Sequence, residues 1–422
     1  GSEVTRKVTI SKLVSIYYRT SLYLMDRKIL IVVENLPVPF DTRVWQEATT
    51  LAANGYTVSV ICPIGKGYDK KYEFLQGVHV YRHKLPKDGN GALGYAREYG
   101  TALWHEYRLA RKCYKEVGFD CIHGCNPPDD IWMIACLFKK KGVDYIFDHH
   151  DICPELYEAK FGKTTGMFYK SQLWLERQTY KHCKFAFVTN ESYKKIAIER
   201  GGMKAEDVFV LRSGPKLERL KIQEPKSEIK RGKKFMVGYL GVIGQQEGIE
   251  YLLKAAKYIK ELPGRNDVFW GIVGGGPDLE RMKKLCHEMG LDDIVEFAGR
   301  VPDQKLLDYL NTADVCVNCD EYNAMNDKST MNKVLEYMAL GKPLVQFDLT
   351  EGRYSAQDAS LYAEHNDAND MARKILELLD NPEKRKWMGE YGRNRVINEL
   401  GWEHTSKALL EGYDRYFRSR GK

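Results

Sequence analysis

Two successive series of short apolar segments, each alternating with helical patterns, constrain the fold of this chain more than any other feature. The first series begins at residues 28–33, a run of the kind that lies buried on both faces of a parallel sheet. The second begins at residues 235–240, after a polar and charged stretch. Strict alternation of strand and helix predicts right-handed βαβ units. The sequence therefore predicts an α/β protein with two Rossmann-like, doubly wound parallel-sheet domains that face a cleft.

The same patterns predict where the domains begin and end. We expect an amphipathic segment at 1–26, a first domain at 27–214, a linker at 215–234 and a second domain at 235–401. Ligands of open parallel sheets bind beyond the carboxyl ends of the strands. An active site is therefore expected at those ends, in the cleft between the domains.

The positive charge of the chain is concentrated in two places. The formal net charge is +7, but residues 1–28 carry +4 and residues 216–234 carry +5, so the remainder is slightly negative. This distribution argues against a nucleic-acid partner, because dedicated binders cluster Lys and Arg on the binding domain itself. Residues 3–26 combine basic side chains with an apolar stripe, which is typical of helices that lie on a membrane surface. Packing of this segment on its own domain or in a homodimer is the alternative interpretation.

Membrane-spanning and disulfide-rich classes are disfavoured. No run of about 18 apolar residues occurs, so we expect no transmembrane helix. The ten cysteines are scattered, mostly in apolar stretches, which indicates reduced core thiols. We therefore expect a cytoplasmic protein, located at the inner face of the cell membrane if residues 3–26 bind there.

Several catalytic motifs are absent from the sequence. Neither first strand is followed by the fingerprint G-x-G-x-x-G, and there is no P-loop or G-x-S-x-G elbow. These absences count against oxidoreductases, kinases and serine hydrolases. No D-x-D occurs either, which disfavours transferases that hold a nucleotide-sugar through a metal.

Two loops of the second domain are candidate phosphate sites. Gly241 and Gly244 let the backbone approach a phosphate, although an ordinary strand-to-helix turn is the alternative. The polar stretch 322–331 leads into another helix, which Ser329 or Thr330 is expected to cap.

Lys333 and Glu336 share one face of that helix because they are three residues apart. A cation near the helix start suits a diphosphate, and a carboxylate one turn on suits ribose hydroxyls. A solvated Lys–Glu pair on a surface helix is the alternative interpretation.

In the first domain, His149, His150 and Asp151 follow an apolar strand. Histidine suits proton transfer near neutrality and a carboxylate can orient it, so His150 and Asp151 are predicted to act in acid–base chemistry or hydrogen bonding. A metal site formed with Cys153 is the competing hypothesis. It is disfavoured because adjacent side chains on an extended strand point to opposite faces.

Motifs along residues 27–417 resemble glycosyltransferase family 4, whose members have the GT-B fold. The resemblance is carried by the segments 39–48, 51–58, 150–155, 274–277, 297–302 and 332–343. It implies a retaining transferase that uses a nucleoside diphosphate sugar, UDP- or GDP-linked, and needs no metal or other cofactor. The C-terminal half would hold the nucleotide and the N-terminal half the acceptor, with the last helix, 402–422, packing back on the first domain.

The resemblance also implies site residues. Glu336 matches the ribose-binding glutamate, and His150 resembles the histidine near the transferred sugar, so we expect catalysis to involve His150, Asp151 and Lys333. On the acceptor side we expect Asp41, Arg43 and Glu155. The nucleotide-sugar side is expected to comprise Gly241, Gly244, Arg300, Val301, Asp327, Lys328, Ser329, Thr330, Met331, Asn332, Lys333 and Glu336.

Two departures from the family pattern concern charge. Lys328 stands where the family has the first of two glutamates, and Val242 and Glu247 stand where it has the Arg and Lys that clamp the diphosphate. Other groups must then compensate the phosphate charge. We expect Lys333 to do so, with Lys328 second.

These features lead to one expected function and two alternatives. The chain is expected to transfer a sugar to a glycan or lipid-linked acceptor in surface polysaccharide or glycoconjugate biosynthesis, by front-face attack. A GT-B nucleotide-sugar epimerase is the first alternative. A non-catalytic GT-B-shaped binding subunit is the second, because of Lys328, Val242 and Glu247.

Overall fold

The structure is a computed structural model that describes residues 27–86 and 91–422. The amphipathic segment predicted at 3–26 lies outside the described residues. By its internal contacts the chain divides into two units. Of the described residues, the first unit holds those up to Glu158, with Gly162–Leu211 and Ser406–Lys422, and the second holds Ala159–Phe161 and Arg212–Thr405.

The first unit is built on an eight-stranded sheet with the order β3-β4-β2-β1-β5-β6-β7-β8. Its strands are β1 (Lys28–Val33), β2 (Thr57–Pro63), β3 (Tyr72–Leu75), β4 (Val78–His83), β5 (Cys121–Cys125), β6 (Asp144–His149), β7 (Cys183–Val188) and β8 (Val208–Val210). All neighbours are parallel except β3 and β4, which are antiparallel. The helices that follow in the chain are α1 (Thr42–Ala53), α2 (Gly91–Glu116), α3 (Trp132–Phe138), α4 (Cys153–Phe161), α5 (Met167–His182) and α6 (Glu191–Glu199).

Burial of the strand interiors stabilises this sheet. The residues of β1 from Ile29 to Val33 are all buried, as expected of a strand covered on both faces. At the edge of β1, α1 begins where the Asp41 carboxylate accepts a hydrogen bond from the amide of Val44 at 3.1 Å. The helix ends before Gly55, whose φ of +88° suits a residue without a side chain.

The second unit has a six-stranded parallel sheet with the order β11-β10-β9-β12-β13-β14. Its strands are β9 (Phe235–Leu240), β10 (Val268–Val273), β11 (Val295–Gly299), β12 (Val315–Asn318), β13 (Leu344–Phe347) and β14 (Ser360–Ala363). Its helices are α7 (Ile249–Glu261), α8 (Leu279–Glu288), α9 (Asp303–Thr312), α10 (Ala324–Lys328), α11 (Asn332–Ala339), α12 (Thr350–Ala356), α13 (Ala368–Leu379) and α14 (Pro382–Arg395).

The last helix, α15 (Trp402–Ser419), begins in the second unit and belongs to the first from Ser406 onward. Its Tyr413 and Phe417 rings lie 6.1 and 5.8 Å from the ring of Tyr56, measured between centroids. The core of the first unit therefore includes the end of the chain.

The predicted architecture of two parallel-sheet α/β domains is confirmed. Three short strands, β3, β8 and β14, were not predicted, because each has only three or four residues and carries little pattern. The ten cysteines are all free thiols. Within residues 27–86 and 91–422, no helix has an apolar stretch long enough to cross a bilayer.

Candidate functional site

Two glycine loops at the carboxyl ends of β9 and β10 lie against one another. Gly274 has a φ of +136°, and a Cβ on it would lie 1.7 Å from the carbonyl oxygen of Gly241. A Cβ on Gly276 would lie 2.4 Å from the carbonyl oxygen of Ile243. Only glycine permits so close an approach of two backbones. The loops therefore form one closely packed layer at these strand ends.

Lys333 lies beside this layer, in the first turn of α11. Its Nζ is 3.1 Å from the hydroxyl of Tyr239 and 3.3 Å from the nearer carboxylate oxygen of Asp320. A Cβ on Gly241 would lie only 3.2 Å from the same Nζ. The sequence predicted phosphate sites at the Gly241 loop and at the polar stretch that leads into α11. The structure brings the Gly241 loop and the start of α11 together. Asp320 and Tyr239 were not predicted, because they lie 13 and 94 residues from Lys333 and outside its helix.

The Lys333 ammonium remains charged although its side chain is only 11% exposed. Burial opposes the charged form, but the carboxylate of Asp320 raises the pKa of Lys333 overall. The pair therefore offers a fixed cation whose charge is partly compensated by a buried carboxylate.

Glu336 lies one turn further along α11. Its carboxylate is 3.9 Å from the guanidinium of Arg219, which is the ion pair that the structure gives for it. Burial raises the pKa of Glu336, and the charges of Arg219 and Lys333 oppose this rise. Its side chain is 22% exposed, so the carboxylate is accessible to a ligand.

The predicted cap of α11 is wrong. The helix begins at Asn332, and Met331 occupies the N-cap position without a side-chain hydrogen bond. Ser329 does not cap it because its hydroxyl donates to the carbonyl of Met325 at 2.7 Å, at the end of α10. The N-cap position of α11 is therefore taken by Met331 rather than by Ser329 or Thr330.

The other residues predicted for the nucleotide side have varied surroundings. Asp327 accepts hydrogen bonds from the amide and the hydroxyl of Thr350, at 2.8 and 3.1 Å, where α12 begins. Arg300 is exposed beside Gly275, whereas Val301 packs against the hydrophobic core. Asp327 and Val301 thus have clear structural roles in addition to their predicted one.

Three further positions of this group surround the start of α11. A Cβ on Gly244 would lie 2.5 Å from a carboxylate oxygen of Glu247, so this loop brings an acid rather than a base to the site. Lys328 is half-buried at the end of α10, and Asn332 is exposed. These positions leave Lys333 as the most buried cation beside the glycine loops.

In the first unit, His150 belongs to a buried polar network at the carboxyl end of β6. Its Nε2 lies 2.6 Å from a carboxylate oxygen of Asp148 and 3.0 Å from Nε of Arg43. Arg43 also forms ion pairs with Asp148 at 2.9 Å and with Glu47 at 3.0 Å. His123 lies 3.1 Å from both of these carboxylates.

The opposite charges in this network shift the pKa values of its members toward their charged forms. Burial favours neutral Asp148, but the positive charges of Arg43 and His150 hold its pKa well below the usual range. Burial also disfavours charged His123, but hydrogen bonds to Asp148 and Glu47 raise its pKa to about 9. The pKa of His150 is raised as well, because the attraction of Asp148 exceeds the effect of burial.

The orientation of the His150 ring follows from these contacts. Asp148 and Arg43 both contact Nε2, so Nδ1 is the ring nitrogen left for another group. Among the described residues, no group is hydrogen-bonded to Nδ1. The side chain is 15% exposed, so a ligand can reach it.

Asn126, which sequence analysis did not single out, holds the backbone of this loop. Its side-chain oxygen accepts hydrogen bonds from the amides of His150 and Asp151, at 2.6 and 3.1 Å. Its amide nitrogen donates to the carboxylate of Asp129 at 2.8 Å. The side chain of Asp151 itself is exposed and lies next to His150 in the chain. The loops after β5 and β6 are therefore joined.

The three residues predicted for the acceptor side lie in different surroundings. Arg43 contacts His150 directly, whereas Asp41 caps α1. Glu155 forms a bidentate ion pair with Arg200, at 2.6 and 3.0 Å, and Arg200 also binds Glu176. Of the three, only Arg43 has a contact with His150 among the described residues.

The candidate metal ligands in the structure differ from the set that the sequence suggested around His149 and His150. The His149 ring faces Tyr180, and burial lowers its pKa to about 3, so His149 and His150 do not point to one site. Glu47, Cys125, Asp148 and His150 do place one candidate ligand atom each within 4.8 Å of one another. The guanidinium of Arg43 contacts three of these four residues, however, and a divalent cation would meet its charge there.

Comparison with known families gives a consistent result. The model described as Glycosyltransferase Family 4 matches residues 41–219, and the model described as Glycosyl transferases group 1 matches residues 221–395. An uncharacterized glycosyltransferase of Methanocaldococcus jannaschii is 22% identical over 284 residues, which are 66% of this chain and 69% of that protein.

The names of two further similar proteins specify a nucleotide-sugar. The chain is similar to the GDP-mannose-dependent alpha-(1-6)-phosphatidylinositol monomannoside mannosyltransferase of Mycobacterium tuberculosis, with 30% identity over 144 residues, 33% of this chain and 37% of that protein. It is also similar in structure to Anabaena HepE in complex with UDP-glucose, with a TM-score of 0.69, 14% identity and coverage of 92% of this chain and 99% of that one.

The two parallel-sheet units and these structural neighbours define the GT-B class of glycosyltransferase folds. One model of this class matches the first half of the chain and the other matches the second half. The chain belongs to the family 4 type of glycosyltransferases.

Proposed function

We propose that this protein is a retaining glycosyltransferase that moves a sugar from a nucleoside diphosphate sugar to a glycan or lipid-linked acceptor. The observation that carries the proposal is the position of Lys333, a charged ammonium beside the Gly241 loop, with Glu336 one turn along the same helix. A cation beside backbone amides suits a diphosphate, and the nearby carboxylate suits ribose hydroxyls.

Lys333 and the first-turn amides of α11 would act on the leaving group. They would stabilise the negative charge that collects on the diphosphate as its bond to the sugar breaks. Because Asp320 compensates part of the charge of Lys333, the amides would carry a larger share of this task. No metal is part of the proposed reaction. A UDP-sugar is the first donor to test, because HepE binds UDP-glucose, and GDP-mannose is the second.

His150 would act on the sugar side. In front-face transfer, the bond between the anomeric carbon and the phosphate oxygen breaks and the acceptor oxygen bonds to the same face of that carbon. The acceptor proton passes to the departing phosphate oxygen. With Nε2 held by Asp148, His150 would orient a sugar hydroxyl through Nδ1.

The acceptor would belong to surface polysaccharide or glycoconjugate assembly at the inner face of a membrane. The name of the mycobacterial relative, which specifies a phosphatidylinositol-linked acceptor, supports this part, as does the basic amphipathic pattern of residues 3–26. Deletion of 3–26 is expected to weaken binding to anionic vesicles and to leave nucleotide affinity unchanged. Unchanged vesicle binding would assign the segment to packing within the protein or in a homodimer.

Donor titration and product analysis test the proposal together. A transferase binds a nucleoside diphosphate, is stabilised by it against heat, and consumes the nucleotide-sugar only when an acceptor is present. Conversion of the nucleotide-sugar without acceptor would indicate an epimerase. No stabilisation by UDP, GDP or ADP at concentrations well above micromolar would indicate a non-catalytic binding subunit.

A further inference from the structure

A second group of polar side chains lies in the first unit, outside the His150 network. Glu34 directly follows β1, His83 ends β4, Glu106 lies in the middle of α2, and Asp130 lies in the loop after β5. Their exposed fractions are 7%, 6%, 0% and 6%, respectively. Four distant parts of the chain thus contribute one buried cluster, which we call the acid cluster.

With its carboxyls ionised, the acid cluster offers hydrogen-bond acceptors and no donor. One carboxylate oxygen of Glu34, both of Glu106 and one of Asp130 have no hydrogen-bond partner, and neither has Nε2 of His83. Nδ1 of His83 lies 3.1 Å from the carbonyl of Lys84, which places the ring proton there and leaves a lone pair on Nε2. That nitrogen faces Glu106 at 3.9 Å. Buried acceptors without a donor are rare in folded proteins.

The described residues supply no counter-ion for this cluster. Neither Glu34, Glu106 nor Asp130 forms an ion pair with a lysine or arginine within the described ranges. The metal-ligand geometry found among those residues belongs to the Glu47 group and includes no member of the acid cluster. Burial, followed by the charges of Glu106 and Asp130, raises the pKa of Glu34 to about 11, and burial raises that of Asp130 to about 7.

We propose that the acid cluster binds a primary ammonium group carried by the acceptor. An ammonium has three donors and no acceptor, which is the complement of the cluster when its carboxyls are ionised. Its charge also permits the buried carboxyls to ionise. That the ammonium belongs to the acceptor rests on the proposed function; the ammonium site itself does not.

The cluster is connected to the His150 loop through Asn126. This side chain donates to Asp129, the neighbour of Asp130, and accepts from the amide of His150. The strands β1, β5 and β6 are adjacent and parallel, so Glu34 and His150 follow carboxyl ends on the same edge of the sheet. An acceptor with an amino group at the cluster would extend along this edge toward His150.

The competing arrangement is a proton shared by Glu34 and Glu106, whose carboxyls approach each other closely enough for a hydrogen bond when one is protonated. In that case the cluster is a structural acid pair, completed by water, and binds no ammonium. A ligand series that varies only the amino group separates the two arrangements.

The test uses the full chain with glucosamine, N-acetylglucosamine and glucose, which share one ring. Titration calorimetry is expected to show glucosamine binding at least tenfold more tightly than the other two. Glu106→Gln is expected to abolish this preference, and Glu34→Gln provides a second variant should the first fail to fold. The matched control is Glu116→Gln, on the same helix, whose carboxylate accepts from Tyr81 outside the cluster. It is expected to leave the preference intact.

Equal binding of the three sugars, or a preference for glucosamine that survives both cluster variants, would overturn the inference. UDP affinity measured on the same samples keeps this result separate from the proposed function, because Lys333 and Glu336 belong to the other unit. Intact UDP binding without an amino-group preference refutes only the ammonium site. A preference for glucosamine without nucleotide binding supports the ammonium site and refutes the proposed glycosyltransferase function.

Discussion

Lys333→Met tests the proposed diphosphate contact most directly. The substitution keeps an unbranched side chain and removes the charged Nζ, and with it a charge-assisted hydrogen bond worth about 1.5–3 kcal/mol to a bound diphosphate. That range corresponds to a loss of roughly 10- to 150-fold in affinity for UDP. The same change leaves Asp320, which is 3% exposed, without its cation at 3.3 Å. The variant should therefore also lose stability, by about 3 kcal/mol, as buried pairs do when one partner is removed.

A double variant separates these two effects. Lys333→Met with Asp320→Asn removes both charges, so the free energy of unfolding in urea should return close to that of the wild type. Its affinity for UDP, measured by titration calorimetry, should stay as low as that of the single variant. Lys254→Met, which removes a half-exposed lysine paired with Glu250 on α7, serves as the charge-matched control. It should change neither quantity.

A double variant that is stable and binds UDP as tightly as the wild type would refute the proposed contact between Lys333 and the diphosphate. Lys333 would then be a partner of Asp320 alone, and the phosphate contact would have to come from another group. Lys328→Met, which alters the second candidate, would in that event be the variant that loses affinity.

Three further predictions concern the stability of each unit. Arg43→Met leaves Asp148 and Glu47 buried without their guanidinium and should lower the free energy of unfolding by about 3–5 kcal/mol in urea titrations; a loss below about 1 kcal/mol would contradict the assigned ion pairs. The pKa of His123 is about 9 in the folded chain, against 6.5 ordinarily, so protonated His123 adds roughly 3 kcal/mol to the free energy of unfolding below pH 6.5, and this is lost as the pH rises through 9. The free energy of unfolding of a His123→Gln variant should vary less with pH over this range, and the same pH dependence in both proteins would exclude the charged network. Gly274→Ala places a Cβ 1.7 Å from a backbone oxygen and should prevent the second unit from folding, as measured by circular dichroism. Gly264→Ala, with no atom within 4 Å of its Cβ, should lower the free energy of unfolding by only about 1 kcal/mol. Similar losses of stability at both glycines would show that the two glycine loops do not pack as described.

The buried strands of both sheets could be predicted from sequence because their signal is local. β1 and β9 are continuous apolar runs, and they are observed over residues 28–33 and 235–240, as predicted. The short strands at the sheet edges have no such signal. β3 alternates between exposed and partly buried residues, and its pairing with β4 is a tertiary contact that spacing does not reveal.

The candidate site was predictable only where its residues are neighbours in the sequence. Lys333 and Glu336 share a helix face, so their spacing predicted that they act together. Asp320, which compensates Lys333, follows β12, and His123, which contacts Asp148, lies on β5, and only the strand order brings them close to these partners. The acceptor-side role of Glu155 stays a prediction, and its pairing with Arg200 is a tertiary contact that the motif did not reveal.

The path of α15 has a consequence for the synthesis of this protein. The hydroxyl of Tyr413 lies 2.7 Å from Nδ1 of the buried His123, so the first unit needs residues near the end of the chain to complete its interior. Residues 212–405, which make up nearly all of the second unit, precede them in translation. On the ribosome, the second unit can therefore reach its native state while the first is still incomplete. Folding during synthesis should therefore depart from the usual N-terminal-first order.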